Sequence, residues 1–242
     1  MDRLAIGPQV ANLPHDGTWG KLRKPVIVAI DGPAGAGKST IARSLARRLG
    51  FTYIDTGAMF RAVALWAIRA QVDLDDLHKL EQLAREARIE FAGDSKVLLN
   101  GEDVTAAIRD PEVSKAASKV SIAPGVRRAL REEQRRIGSL NPVVMEGRDI
   151  GTVVFPDADV KIYLDADPEI RAGRRALETG AEVNEIALEM AERDQRDRTR
   201  AEAPLTQAPD AEYIDSTGLS PEEVEEAILK VVRGRTSNGK GH

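Results

Sequence analysis

Apolar positions along the chain fall into two kinds of run. Short apolar segments at Val26–Ile30, Phe51–Ile54, Val143–Met145, Val160–Leu164 and Tyr213–Ile214 read as strands, the first apolar enough to be buried on both faces. Longer segments between them carry apolar residues at helical spacing. Ile41, Leu45 and Leu49 are four apart, with Arg43, Arg47 and Arg48 facing elsewhere, and Gly50 follows as a C-cap. Met59, Ala62, Val63 and Trp66 mark a helix over Ala58–Ala70, and Val224, Ile228 and Val231 mark one over Pro221–Val232. Further helices are predicted over 73–87, 111–122, 124–137, 168–177 and 185–200. Strands separated by helices predict an α/β fold of three layers, with a five-stranded parallel sheet and right-handed crossovers.

One region breaks the alternation. Segments 89–91, 96–99 and 102–104, with Asn100-Gly101 as a hairpin turn, predict a small antiparallel meander. An insert of about 57–137 is therefore expected within a domain spanning 25–233, with a short helical lid at about 171–200. Residues 1–24 hold Gly7, Pro8, Pro14, Gly17 and Gly20 without a period and read as a partly disordered extension. No function is assigned to its His15 and Trp19. Residues 234–242 read as a flexible tail.

The first strand runs into Gly32-Pro33-Ala34-Gly35-Ala36-Gly37-Lys38-Ser39-Thr40, which matches G-x-x-x-x-G-K-[ST] throughout. A chance glycine-rich turn would not also have a buried strand before it and an amphipathic helix after it. In a P-loop the glycines let backbone N–H groups turn inward on phosphate, and the helix N-terminus adds partial positive charge. Lys38 then reaches the β/γ-phosphates of a nucleoside triphosphate, and the Ser39 hydroxyl ligates Mg²⁺.

Composition narrows the class. The 242 residues carry a net charge of −4, with 42% hydrophobic and 31% charged residues. That balance argues against nucleic-acid or membrane binding over the whole surface, though not against a local basic pocket. Cysteine is absent, which excludes a disulfide framework, a zinc ribbon and a thiol nucleophile. No stretch approaches the roughly 20 apolar residues of a membrane span, and no secretory signal is visible, so a cytoplasmic protein is expected.

Two large P-loop classes are set aside for want of an Asn-Lys-x-Asp or a Leu-Ser-Gly-Gly-Gln motif. No apolar strand ends in a Walker B aspartate, because Val143–Met145 runs into Glu146. The loops at the C-terminal strand ends hold Asp55-Thr56-Gly57, Gly147-Arg148-Asp149 and Asp165, where such sheets bind ligands. That placement lifts Arg61 and Arg148 above the plain reading of solvated arginines. Arg127, Arg128, Arg131, Arg135 and Arg136, interleaved with Glu132 and Glu133, read mostly as a solvated face, as do the alternating charges of 192–200. Arginines at the active edge suit phosphoryl transfer between small molecules.

Asp31–Lys38, Asp55–Arg61, Gly147–Pro156 and Arg193–Arg198 together resemble the bacterial cytidylate kinase family. The resemblance runs from about Val26 to Val232, and Gly-Arg-Asp-Ile-Gly-Thr-Val-Val-Phe-Pro is its most specific part. It implies transfer of the ATP γ-phosphoryl group to CMP or dCMP. It also implies that Thr56, Arg61 and Arg148, with Arg200 as a further candidate, hold the CMP phosphate. Ser118, Arg127 and Asp149 would read cytosine, and Arg193 and Asp197 would hold the pentose. Asp149 can accept from the cytosine amino group, which uracil lacks.

Catalysis is then expected from Lys38, Arg61, Arg148, Arg174 and Arg198, with Arg171, Arg174, Arg175 and Arg198 as candidate lid residues. No general base is needed, since the attacking phosphate oxygen is already ionised. Phe60 departs from the family's usual Tyr, the stretch between Arg175 and Glu192 is shorter than usual, and the extension before Val26 lies outside the family core. The rival expectations are a kinase acting on UMP or AMP and a non-catalytic ATP-binding module. A monomer is expected.

Overall fold

The computed structural model describes residues 24–93 and 96–237. The predicted N-terminal extension before Lys24 and residues 238–242 of the predicted tail lie outside the described residues. Five parallel strands form the main sheet in the order β2 (Thr52–Asp55), β6 (Val143–Gly147), β1 (Ile27–Asp31), β7 (Val160–Asp165) and β8 (Glu212–Asp215). The chain leaves β1 through α1 (Lys38–Leu49), and α2 (Thr56–Arg69) follows β2.

The insert comprises α3 (Leu77–Glu86), an antiparallel sheet of β3 (Ile89–Ala92), β4 (Lys96–Leu99) and β5 (Glu102–Asp103), then α4 (Pro111–Val120) and α5 (Pro124–Gly138). Between β4 and β5, Asn100 (φ 52°) and Gly101 (φ 86°) both lie in the left-handed region, as a two-residue hairpin turn requires. A helical hairpin, α6 (Pro168–Thr179) and α7 (Val183–Thr199), precedes β8, and α8 (Pro221–Ser237) closes the chain.

Apolar strands covered on both faces still sort their residues by parity. Val28, Ile30, Val144, Ile162 and Leu164 share a cluster with Ile41 and Leu45 of α1 and Ile228 and Leu229 of α8. Ile27, Ala29, Val143 and Met145 point the other way, against Met59 and Val63 of α2, Val120 of α4 and Leu130 of α5. The three predicted layers are therefore present.

Register brings the functional ends level. Asp31 of β1 stands opposite Gly147 of β6 and Tyr163 of β7, and Asp55 of β2 stands opposite Glu146. One boundary moves, because α8 continues to Ser237 through the stretch expected to be frayed from Gly234. A single interior glycine costs only about 1 kcal/mol, and Arg235 reaches the carbonyl of Asp210 at 3.4 Å.

Candidate active site

The donor half of the site is made of backbone. At Gly32 (φ 149°) an added Cβ would fall 1.9 Å from the carbonyl oxygen of Leu164 in β7, so only glycine fits. Gly35 (φ 73°) and Gly37 (φ 90°) adopt left-handed conformations that other residues resist. Gly37 caps α1 without any side-chain hydrogen bond, which leaves the first N–H groups of the helix for an anion. Asp194 of α7 accepts from the N–H of Ala34 at 3.4 Å, and Ser216 donates to the carbonyl of Ala36 at 3.3 Å.

Lys38 is buried, and its ammonium folds back onto the carbonyl of Pro33 at 2.5 Å. Burial, reinforced by the nearby charge of Arg148, pushes it down to about 7. Beside it Glu146, at the end of β6, accepts from the Tyr53 hydroxyl at 2.6 Å. Burial and the charge of Asp55 hold the Glu146 carboxyl above its usual range, while the adjacent Ser39 hydroxyl stabilises the ionised form. An acidic side chain thus stands beside the P-loop serine, although the strand does not end in the expected aspartate. Among the described residues no cluster of three metal-binding side chains exists. One hydroxyl and one carboxylate suit Mg²⁺, which takes few protein ligands and completes its shell with phosphate oxygens and water.

The acceptor half is made of side chains from four separate parts of the chain. Asp55 caps α2 by accepting from the N–H of Ala58 at 2.8 Å and pairs with Arg61 at 2.8 Å. Burial raises the Asp55 carboxyl, but Arg61, the Ala58 N–H and Arg148 outweigh it, and the group stays below its usual range. Thr56 donates to the carbonyl of Glu146 at 2.7 Å.

A chain of alternating charge follows. Arg127 of α5 pairs with Asp149 at 2.7 Å, and Asp149 with Arg200 at 3.4 Å. Arg200 pairs with Asp197 at 3.2 Å, and Asp197 with Arg148 at 2.9 Å. Burial raises the Asp197 carboxyl, but Arg148, Arg193 and Arg200 together hold it below its usual range. Arg193 has no carboxylate partner among the described residues. Burial first, then Arg148, pushes it down to about 10. Lys38, Arg61, Arg148 and Arg193 therefore converge on one space in which cations destabilise each other, a space suited to phosphate groups.

The loop that presents Arg148 and Asp149 is held at both ends. After Asp149 the chain makes one wide helical turn, Ile150–Val154, where the sequence suggested only a connection. Asp31 accepts from the N–H of Ile150 at 2.8 Å and of Gly151 at 2.7 Å. At the other end Arg135 donates to the carbonyls of Val154 at 2.9 Å and Val153 at 2.8 Å. An anion at the N-terminus and a cation at the C-terminus match the dipole of the turn. Burial nevertheless pushes Asp31 up to about 6.

A family model for cytidylate kinase matches residues 28–234. The chain belongs to the cytidylate kinase family. A cytidylate kinase of Solibacter usitatus is 63% identical over 225 residues, covering 90% of this chain and 97% of the relative. Those of Pelotomaculum thermopropionicum and Geobacter sulfurreducens are 51% and 50% identical, each covering 88% of this chain and 96% and 95% of the relative.

The arginines expected on a lid are placed differently from one another. Arg171 is buried, donating to the carbonyl of Ala34 at 2.9 Å and pairing with Asp194 at 2.6 Å, so it ties the hairpin to the P-loop crest. Arg174 donates to the Ser216 hydroxyl and carbonyl at 3.0 and 2.7 Å. Arg175 pairs with Glu178 at 2.9 Å, and Arg198 is exposed. Ser118 lies on α4, where its hydroxyl accepts from Arg196 of α7 at 2.9 Å. Phe60, which replaces the usual Tyr, lies under the Arg127 guanidinium at 5.6 Å. Thr40 is exposed at the start of α1.

Sequence reasoning passed over Glu146, Asp31, Arg135 and Arg196. Of these Glu146 and Asp31 carried a signal, each a carboxylate ending an apolar strand beside the P-loop. Arg135 looks like its neighbours on α5 until its carbonyl partners are seen.

Proposed function

We infer that the protein transfers the γ-phosphoryl group of ATP to CMP or dCMP, giving ADP and CDP or dCDP. The observation that carries this is the shared cation cluster of Lys38, Arg61, Arg148 and Arg193. It faces the P-loop on one side and the Asp149 pocket on the other, so two phosphorylated substrates can meet across it. The P-loop from Gly32 to Thr40 holds the ATP phosphates. Thr56, Arg61, Arg148 and Arg200 hold the CMP phosphate, Ser118, Arg127 and Asp149 read the base, and Arg193 and Asp197 hold the pentose.

Asp149 gives the base selectivity a mechanism. Held by Arg127 and Arg200, it stays an acceptor, and cytosine offers it an amino donor where uracil offers an oxygen. The mismatch costs about 1–3 kcal/mol or more in a buried site.

A nucleoside monophosphate has a second phosphate pKa of about 6, so its attacking oxygen is ionised at neutral pH and no general base is required. Lys38 and the arginines align the two phosphates and stabilise charge on the equatorial oxygens in the transition state. Ser39 and Glu146 would hold Mg²⁺, which supplies charge neutralisation at the transferred phosphate. Arg174 and Arg198 are carried by the hairpin that covers this space when closed, which excludes water and suppresses ATP hydrolysis. All these groups come from one chain, so a monomer suffices, and no described helix is long and apolar enough to cross a membrane.

An acceptor panel tests the assignment. With ATP and Mg²⁺, ADP should form rapidly with CMP and dCMP and far more slowly with UMP or AMP. Preference for UMP or AMP would overturn the base assignment, and ATP binding without ADP production under any acceptor would overturn catalysis.

A further inference from the structure

Thr56, Phe60, Arg127, Arg131, Gln134 and Asp149 line a pocket in the acceptor half. Arg127, Arg131 and Gln134 are spaced four and three apart on α5, so they form one stripe along the helix. Gln134 is only 3% exposed. Its side-chain amide has no hydrogen-bond partner among the described residues, and it is not one of the fully enclosed unpaired groups, so the little surface it keeps opens on this pocket. Asp149, on the same pocket wall, is held by an arginine at each oxygen and keeps further acceptor capacity. An amide left unpaired beside an engaged carboxylate is a group whose partner arrives with the ligand.

We propose that Gln134 is a base-contacting residue, its carboxamide meeting the amino and ring-nitrogen edge of the acceptor's pyrimidine. This rests on the acceptor assignment above. A carboxamide presents a carbonyl acceptor next to an amino donor. Cytosine presents the complement, an amino donor next to a ring-nitrogen acceptor. Uracil presents the reverse pair, and a carboxamide matches it by turning over. A carboxylate cannot turn into a donor. The two residues therefore divide the work: Asp149 selects cytosine over uracil, and Gln134 adds affinity for either pyrimidine.

The test uses the full chain with Gln134→Met, close in shape but without the amide. At saturating ATP, KM for CMP and for UMP should each rise about tenfold, the weight of a buried hydrogen bond pair. The CMP-to-UMP preference should stay within about twofold, and KM for ATP should not change. Thermal unfolding of the free protein should occur at about the same temperature, because the amide has no partner within the described residues to lose. An unchanged KM for CMP, with or without a lower unfolding temperature, would overturn the proposal, as would a collapse of the preference.

If the Met variant fails to fold, Gln134→Glu keeps the shape and adds a second acceptor-only group. It should weaken CMP and UMP alike, because on either base a carboxylate meets one donor and one acceptor, and an unchanged KM for CMP would overturn the proposal. Failure of the acceptor assignment is seen separately, in the unmodified protein on the acceptor panel.

Discussion

The two halves of the candidate active site are built by opposite means. The donor half relies on backbone: left-handed glycines, a helix start without a side-chain cap, and one lysine resting on the loop's own carbonyl. The acceptor half relies on side chains, Arg127, Asp149, Arg200, Asp197 and Arg148, each paired with the next. A backbone cradle recognises any triphosphate, because amide N–H groups carry no information about a base. An alternating charge network can be selective, since each ion pair must be rearranged or matched by the right ligand. Donor binding is thus generic and pre-formed, while specificity is concentrated where charges are already engaged.

The largest effect expected from breaking this contrast comes from its shared centre. Lys38→Ala should reduce kcat by at least about 10³-fold in a coupled ADP assay, since the transferred phosphoryl group loses its main cation. Next comes a variant that separates the halves. Asp149→Ala should lower kcat/KM for CMP by about 100-fold and leave KM for ATP within about twofold; equal effects on both substrates would erase the distinction.

The donor half should also be the more pH-sensitive. Lys38 is held down at about 7 in the free protein, and a bound triphosphate favours its charged form. Binding therefore takes up a proton above pH 7, and ATP affinity should fall by up to about tenfold per pH unit as pH rises from there. Calorimetry in buffers of different ionisation heat would measure that uptake. The smallest effect belongs to a contact between the hairpin and the insert. Arg196→Ala removes an exposed hydrogen bond to Ser118 and should raise KM for CMP about threefold, with ATP unaffected.

The same contrast explains how much could be read in advance. Gly32 to Thr40 is contiguous, and every part of its chemistry follows from local backbone preference, so the motif and its flanks sufficed. Thr56, Arg127, Asp149 and Arg200 are far apart in the chain, and only the fold shows that they come together, while their roles rest on the resemblance. Arg171 shows the limit well. It was one of several similar arginines on a predicted lid, and its burial against Asp194 and Ala34 came from how α6 and α7 pack on the P-loop. Arg135 was one of several arginines on a helix expected to face water, yet it closes the turn that presents Asp149.

By itself the sequence determined the order of strands and helices, the antiparallel insert and the phosphate loop, because apolar period, glycine conformation and capping act over a few residues. Tertiary structure decided which charges pair and which face the candidate site. That outcome depends on distances between elements far apart in the chain, as Asp194 is from Ala34, 160 residues away, and on burial that raises Asp31 and lowers Lys38, and neither is written in any local stretch of chain.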